Sequence, residues 1–189
     1  MFTLPPRGIE IVLLAVLLVA AIYDVRYRRI PNWVTVTGVG LGLALNAFLR
    51  APADAWFSLG GVWFSLRGLG LAFGVYLVLY VIRAMGAGDV KLMAAVGALV
   101  GCQDWFAIFF LTAILGGVMG AILIVSRGRI ARTLANIAFI LGEMKAGRPA
   151  HIKREELDAR NPKAFGLAHG AVIAVAAVFF LALANRFAR

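Results

Sequence analysis

The sequence predicts an all-α, polytopic membrane protein with about six transmembrane helices, and two features support this class. Hydrophobic residues make up 62% of the chain and charged residues only 15%, with a mean hydropathy of +0.91. Ordinary soluble domains are about 45–50% apolar, so this composition excludes a typical water-soluble fold. The apolar residues also fall into long runs separated by basic stretches. With 189 residues, we expect one integral membrane domain over positions 1–189.

Six apolar runs are expected to form the membrane spans. They cover about residues 8–23, 33–49, 68–82, 90–102, 105–126 and 165–185. Several are shorter than the ~20 residues that cross a hydrocarbon core, which predicts helices that start in the headgroup layer or a thinned bilayer. The aromatic-rich stretch before the third run predicts an interfacial segment. The first run is expected to be a retained helix, because arginines follow it, whereas a signal peptide carries its charge first.

The basic residues predict how the chain is oriented. Fourteen of the 19 lysines and arginines follow the first, third and fifth runs, and five lie on the opposite side. Since lysine and arginine are enriched in cytoplasmic loops, we expect the odd-numbered loops in the cytoplasm and both termini outside. The net charge of +10 is then a consequence of topology. Nucleic acid is not an expected partner, because phosphate binding needs a solvated basic face.

The loop over about 127–163 carries a second helical pattern. Apolar residues recur at helical spacing among basic ones, at Ile130, Leu134, Ile137, Leu141 and Met144. This spacing predicts a cytoplasmic amphipathic helix on the inner leaflet of the lipid bilayer, between the fifth and sixth spans. A solvated linker helix is the alternative. Residues 145–163 are polar and are expected to form a surface loop.

Two aspartates occupy costly positions. Asp24 ends the first span and Asp89 opens the fourth, whereas the other acidic residues, including Asp104 in a predicted outer loop, are expected near water. Acidic groups within membranes indicate functional sites. Two facing carboxyl groups cannot both ionise easily, so one keeps a proton. The ionised group can then take a proton from water while the acid polarises a carbonyl.

The neighbouring residues allow a functional and a structural interpretation. Gly86 and Gly88 remove side chains beside Asp89, which would let a peptide or helix approach closely. Alternatively, they form a simple turn with Asp89 as an N-cap, and Asp24 is a salt-bridged boundary residue. His169, within the last span, either packs or hydrogen-bonds between helices, or contributes to a site.

Three motifs then resemble one family. "GAGDVKL" at 86–92 matches the GxGD signature of the type IV prepilin peptidases, a family of membrane aspartic proteases. "YDVRYRRIPN" at 23–32 is similar to the family's first-aspartate motif, and "FGLAHGA" at 165–171 to its final helix. His169 stands where the family more usually has an aliphatic residue.

The resemblance implies that Asp24 and Asp89 are the catalytic pair and that Gly86 and Gly88 shape the site. Pro31 and Asn32 would fix how the chain re-enters the membrane, with Asn32 as a helix cap. Lys91, with the nearby arginines, would anchor the topology or tune the aspartates. The implied reaction is cleavage of the basic leader of prepilins or pseudopilins at the cytoplasmic face of the bacterial inner membrane.

The single cysteine, Cys102, bears on a second activity of the family. Longer members carry a zinc-binding segment with paired cysteines that is associated with methyl transfer. This chain therefore resembles the short peptidase-core type of tight-adherence (Flp-type) pili, and we expect no cofactor, no metal and no methyl transfer.

Two other classes of function stay open. One is a proton-coupled transporter subunit, with the aspartates as proton carriers. However, both aspartates are expected at one membrane face, whereas transporter sites lie near the midplane. The other is a non-enzymatic assembly scaffold in which the aspartates are structural caps.

Overall fold

The structure, a computed structural model, describes residues 5–128, 130–145 and 168–187. Over these ranges the chain is helical, without strands, which confirms the all-α class. Five helices are long and apolar enough to cross a membrane, and α5 is the exception. The helices are α1 (Arg7–Tyr27), α2 (Asn32–Leu49), α3 (Leu59–Val81), α4 (Ala87–Ser126), α5 (Ile130–Lys145) and α6 (His169–Phe187).

The helix boundaries differ from the predicted spans in two places. Helix α3 begins at Leu59 rather than near residue 68, because Ser58 caps it by accepting a hydrogen bond from the Gly61 N–H at 3.2 Å. Of the aromatic stretch expected to lie at the interface, Trp63 and Phe64 are thus part of this helix, whereas Trp56 and Phe57 precede it. Helix α5 confirms the predicted helix after the fifth run, while its place on the inner leaflet stays a prediction. Beyond Lys145, the predicted polar loop lies outside the described residues.

Helix α4 contains a sharp break at Gly101. This residue has φ 77° and ψ −178°, far from helical values, and the chain is helical on both sides. A straight helix would hold Asp89 and Phe109 about 30 Å apart, given the rise of 1.5 Å per residue. Yet Tyr76 interacts electrostatically with Asp89 and packs its ring 5.9 Å from the Phe109 ring. The two arms of α4 therefore lie beside the same part of α3.

A contact with α6 leads to the same conclusion. A Cβ atom at Gly116 would lie 3.8 Å from Val172, which is two residues beyond Gly170, the residue of α6 that contacts Asp24. In a straight helix, Gly116 would be about 40 Å from Asp89. Helix α4 thus folds back at Gly101, and the fourth and fifth predicted spans are its two arms. The count of six spans is not confirmed, because five helices have spanning character.

Glycines allow the first arm of α4 to pack at the centre of the helices. A Cβ at Gly42 would lie 2.9 Å from the backbone carbon of Ala98, so α2 and α4 approach backbone to backbone. Gly68 on α3 and Gly97 on α4 face each other even more closely. Helices in lipid associate through such small residues, since close backbone approach maximises dispersion contacts. Every residue from Leu92 to Gly101 is buried.

The fold-back is held by a buried polar cluster at the end of the first arm. Asn46 is fully buried, and its Nδ2 group lies 3.1 Å from the carbonyl oxygens of both Ala98 and Leu99. Carbonyl groups at a helix end lack intrahelical donors, and this amide supplies one. The same Nδ2 group lies 2.9 Å from Ser65 Oγ, while the Asn46 Oδ1 accepts from Arg50 Nε at 2.8 Å.

Asp104, expected in an outer loop, is instead buried in the second arm of α4, where 4% of its surface is exposed. It interacts with Arg50, whose guanidinium group lies 3.7 Å from the centre of the Phe64 ring. Burial lowers the pKa of Arg50, and the charge of Asp104 partly offsets that effect. The sequence interpretation of Asp104 was wrong because the chain is helical again directly after the break at Gly101, so Asp104 lies in a helix rather than in a loop.

Replacing Asn46 with leucine is expected to destabilise the protein by about 1–3 kcal/mol, the cost of leaving buried polar groups unpaired. Thermal unfolding in detergent micelles, followed by circular dichroism, measures this change. Ser65→Ala is the control, because it removes one hydroxyl group but leaves the Asn46 amide on the two carbonyl groups. An Asn46→Leu variant as stable as the wild type would mean that the cluster does not hold the fold-back.

Candidate active site

Asp24 lies on the last turn of α1, where the chain changes direction. Arg28 adopts the left-handed conformation at φ 53° and ψ 31°, and its N–H donates to the Asp24 carbonyl oxygen at 2.9 Å. Such a residue ends a helix because the next peptide can no longer continue it. The side chain of Asp24 is buried, with 9% of the residue surface exposed. Burial of a carboxyl group requires polar partners, and α6 supplies one.

The first turn of α6 binds the Asp24 carboxyl group. The backbone N–H of Gly170 donates a 2.8 Å hydrogen bond to Asp24 Oδ2. This N–H is available because the first amides of a helix have no intrahelical acceptor. A Cβ at position 170 would lie 3.0 Å from the same oxygen and 3.1 Å from Ile30 Cδ1. Glycine therefore allows α6 to approach the carboxyl group.

Asp89 is the third residue of α4, whose N-cap is Gly86. Its side chain makes a hydrogen bond to the backbone of Gly86. An acidic residue at this position characteristically reaches back to the free N–H group of the N-cap residue. The alternative that Asp89 is itself the N-cap is therefore wrong, because Asp89 lies three residues after the N-cap, Gly86. The predicted turn does exist, and the Asp89 side chain still makes a capping hydrogen bond.

The two carboxyl groups come together from α1 and α4. Asp24 and Asp89 lie close enough for their charges to interact, although 64 residues separate them in the chain. Ile30 lies between the first turns of α4 and α6, since Cβ atoms at Gly88 and Gly170 would lie 3.4 Å and 3.1 Å from its side chain. Gly88 thus makes room for Ile30. Gly86 lies beside the Asp89 carboxyl group, where a Cβ atom on the glycine would be 3.5 Å from Oδ2.

Pro31, Asn32 and Lys91 connect the two motif segments. Pro31 is the N-cap of α2, and Asn32 is the first residue of the helix rather than its cap, which corrects the sequence prediction. Pro31 has the extended ψ of 139° that a cap position requires, so the helix begins one residue later. The Asn32 side chain instead accepts a 3.0 Å hydrogen bond from Lys91 Nζ. This contact joins the first turns of α2 and α4.

Three residues at the site, Ile30, Gly170 and Tyr76, were absent from the predicted set, although two of them belong to quoted motifs, and for His169 a site role was one of the alternatives left open. Ile30 and Gly170 lie within those motifs, and their roles depend on contacts that no motif reveals. His169, in the same motif as Gly170, interacts with Asp24, and its Nε2 atom is buried with no hydrogen-bond partner among the described residues. Tyr76 is 1% exposed and interacts with Asp89. A lone tyrosine in an apolar run gives no signal of such a position.

Replacing Gly170 with alanine is expected to lower the cleavage rate proposed below by about tenfold. The added methyl group would press on Asp24 Oδ2 and Ile30, moving the carboxyl group by a few tenths of an ångström, and misplaced catalytic groups lose rate steeply. Steady-state kinetics of the purified variant measures this loss. Gly116→Ala is the matched control, since its methyl group would meet Val172 at an ordinary 3.8 Å. Equal rates for both variants would contradict the Gly170 contact.

Within the described ranges, no three histidine, cysteine, aspartate or glutamate side chains come together as a metal site would require. The carboxyl groups of Asp24 and Asp89 can hold, donate and accept a proton.

Comparison with known proteins agrees with this geometry. Residues 11–121 match the profile of the type IV leader peptidase family, and this range contains both aspartates. The chain is 32% identical over 127 residues to the "Prepilin leader peptidase/N-methyltransferase" of Bacillus subtilis (strain 168), covering 65% of this chain and 46% of that protein. A protein of the same name from Xanthomonas campestris pv. campestris is 31% identical over 133 residues, covering 65% and 43%.

The matches span less than half the length of these two curated relatives. No solved structure matches the chain significantly. The transporter alternative is not favoured by these relatives. Because the family profile covers more than half of the chain, including both motif segments, the protein belongs to the type IV leader peptidase family.

Proposed function

We propose that this protein is a membrane aspartic endopeptidase that removes the basic N-terminal leader of prepilin-like proteins. The observation that carries the proposal is the electrostatic interaction of Asp24 with Asp89, which α1 and α4 bring near each other within the range matched by the family profile. The two relatives are named for prepilin leader cleavage. A carboxyl pair that shares one proton can activate water for peptide hydrolysis.

The proposed mechanism uses the two carboxyl groups in complementary states. Two neighbouring carboxylates repel each other, so the pair holds one shared proton and titrates as a unit. The ionised group removes a proton from water as the water oxygen bonds to the scissile carbonyl carbon. The protonated group donates its hydrogen bond to the carbonyl oxygen. Collapse of the tetrahedral intermediate then breaks the C–N bond and returns a proton to the leaving amine.

Each further motif residue has a proposed supporting role. Gly86 keeps the space beside the Asp89 carboxyl group free, and Gly88 lets Ile30 pack between α4 and α6. Lys91 and Asn32 hold the first turns of α4 and α2 together through their 3.0 Å hydrogen bond. Pro31 places the start of α2. Together these contacts hold the two carboxyl groups in a fixed position relative to each other, as catalysis by positioned groups requires.

The reaction is proposed to occur at the cytoplasmic face of the bacterial inner membrane. Asp24 is followed within five residues by Arg26, Arg28 and Arg29, and the enrichment of arginine in cytoplasmic loops supports this side. Both termini would then be periplasmic. Pseudopilins are included as substrates, and the lipid bilayer is the second partner.

The two relatives are also named as N-methyltransferases. We propose only the peptidase activity for this chain, since the matched residues 11–121 contain both aspartates.

Co-expression with a prepilin tests the proposal, with leader removal followed by gel mobility. The wild type is expected to shorten the prepilin and Asp89→Asn to leave it full-length. Asp104→Asn is the matched control, because it neutralises another buried aspartate of the same helix, outside the pair. Processing by Asp89→Asn would defeat the proposal, as would the absence of processing by all three proteins when each is folded in the membrane.

A further inference from the structure

We propose that α5 docks flat on an anionic phospholipid surface, in the leaflet where the second arm of α4 ends, through the side chains of Ile130, Leu134 and Ile137. This docking is independent of the proposed peptidase function. Two structural observations carry it: an exposed apolar stripe that continues from α4 onto α5, and a tight turn that keeps α5 beside the end of α4. Arginines around the turn supply the charge that anionic headgroups attract.

The apolar stripe of α5 is exposed in the part of the chain that the structure describes. Ile130, Leu134 and Ile137 follow one another at spacings of four and three residues, so their side chains share one face of the helix. Between 48% and 62% of each residue is exposed, whereas Thr133 and Asn136, off this face, are half-buried. The amphipathic helix of a globular protein turns its apolar stripe toward the core. Because α5 does not, another apolar medium is needed to remove the stripe from water.

The second arm of α4 carries a matching stripe that identifies this medium. Its apolar side chains on successive turns are each more than half exposed, at Ile114, Val118, Ile122 and Val125. Helix α4 is long and apolar enough to cross a membrane, so these side chains face lipid. Val125 belongs to the last turn of α4, so lipid reaches the end of this helix, and α5 begins only four residues after Ser126.

The turn between α4 and α5 keeps α5 at the bilayer surface. The Arg127 N–H donates to the Leu123 carbonyl oxygen at 3.3 Å, and Gly128 follows in the left-handed conformation at φ 63°. A left-handed residue just after a helix ends it and redirects the chain. With 16 residues, α5 is about 24 Å long, which is less than the hydrocarbon core of about 30 Å. We therefore expect α5 to lie along the bilayer surface and not across the bilayer.

The charge of this segment favours an anionic surface. Residues 127–145 contain four basic residues and one acidic residue, Glu143. Three of the basic residues are arginines in the first six positions, next to the end of α4: Arg127, Arg129 and Arg132. An interfacial helix binds lipid through its buried apolar area and through attraction between its basic residues and anionic headgroups. The stripe and the arginines together supply both contributions.

Fluorescence quenching in the full-length protein, reconstituted into vesicles, tests the docking. On a Cys102→Ser background, Leu134→Cys places a fluorophore on the stripe, and Ala135→Cys places it on an exposed residue about 100° away around the helix. The vesicles contain phosphatidylcholine alone or an equal mixture with phosphatidylglycerol. In the mixture, we expect spin-labelled acyl chains to quench the Leu134→Cys label about threefold more strongly than the Ala135→Cys label, and aqueous iodide to show the reverse order. In phosphatidylcholine alone, acyl-chain quenching of the Leu134→Cys label should fall by about twofold.

Three other outcomes would overturn the proposal. Iodide access to the Leu134→Cys label in both kinds of vesicle would mean that α5 is a solvated helix. Protection of this label from both quenchers would mean that protein covers the stripe. Equal acyl-chain quenching in the two kinds of vesicle would refute the anionic surface as the partner. If Leu134→Cys fails to fold, as shown by thermal unfolding, Ile137→Cys on the same stripe is measured with the same expectations.

Discussion

Asp24→Asn is expected to lower the rate of leader cleavage by about 10²–10⁴-fold, the range that a positioned acid or base contributes. Asparagine has the shape of aspartate, and its carbonyl oxygen can still accept the hydrogen bond from the Gly170 N–H. The substitution therefore removes the proton exchange while leaving the contact between α1 and α6. The measurement is single-turnover cleavage of a prepilin by the purified variant, with protein in excess.

The control for this prediction is Asp54→Asn, which changes an exposed aspartate between α2 and α3. It should cleave at the wild-type rate. Thermal unfolding should show that Asp24→Asn is as stable as the wild type to within about 1 kcal/mol, since the hydrogen bond is kept. A rate for Asp24→Asn within tenfold of the wild type would contradict a catalytic role for this residue.

Gly68→Ala is expected to destabilise the protein by about 3 kcal/mol or more, the upper range for overpacking, because its methyl group would meet backbone. The added Cβ would lie 2.8 Å from Gly101 Cα and 2.9 Å from the Gly97 carbonyl carbon. Backbone atoms of the first arm of α4 and of its break at Gly101 cannot move aside as a flexible side chain could. The first arm of α4 carries Asp89, so we also expect a loss of cleavage.

Gly70→Ala is the matched control on the same helix. Nothing lies within 4 Å of a Cβ at Gly70, so the substitution adds helix propensity without a clash. It should leave stability unchanged or raise it by up to about 1 kcal/mol. Thermal unfolding of both variants in the same detergent compares them. Equal stability of Gly68→Ala and Gly70→Ala would contradict the close packing of α3 against α4.

The general architecture follows from the sequence because it depends on composition and local pattern. Long apolar runs predict spanning helices, and the apolar spacing from Ile130 onward predicts α5. The fold-back of α4 was less predictable. The sequence shows two apolar runs separated by Gln103 and Asp104, and polar residues between apolar runs are typical of an exposed loop. The turn is instead made by the single residue Gly101, and Asn46 of α2 binds the carbonyl groups that the break leaves without helical partners. Asp104 is buried in the arm that follows.

In the site, as in the fold, the sequence predicts what depends on local pattern but not what depends on packing between helices. Asp24 and Asp89 could be selected from the sequence because acidic groups at membrane boundaries are costly. The contributions of Gly170, Ile30 and Tyr76 depend on how α1, α3, α4 and α6 pack, and nothing in their own residue types predicts them. Asn32 illustrates a further limit. Its residue type favours a helix cap, yet its side chain instead accepts a hydrogen bond from Lys91.

A double-mutant cycle of cleavage rates tests most directly whether Asp24 and Asp89 act as one catalytic pair. Single-turnover rates are measured for the wild type, Asp24→Asn, Asp89→Asn and the double variant. Residues that act as a unit are strongly non-additive, so we predict that the double variant is no slower than the slower single variant, to within about threefold. A double variant slowed by the product of the two single effects, or either single variant at the wild-type rate, would contradict the pair.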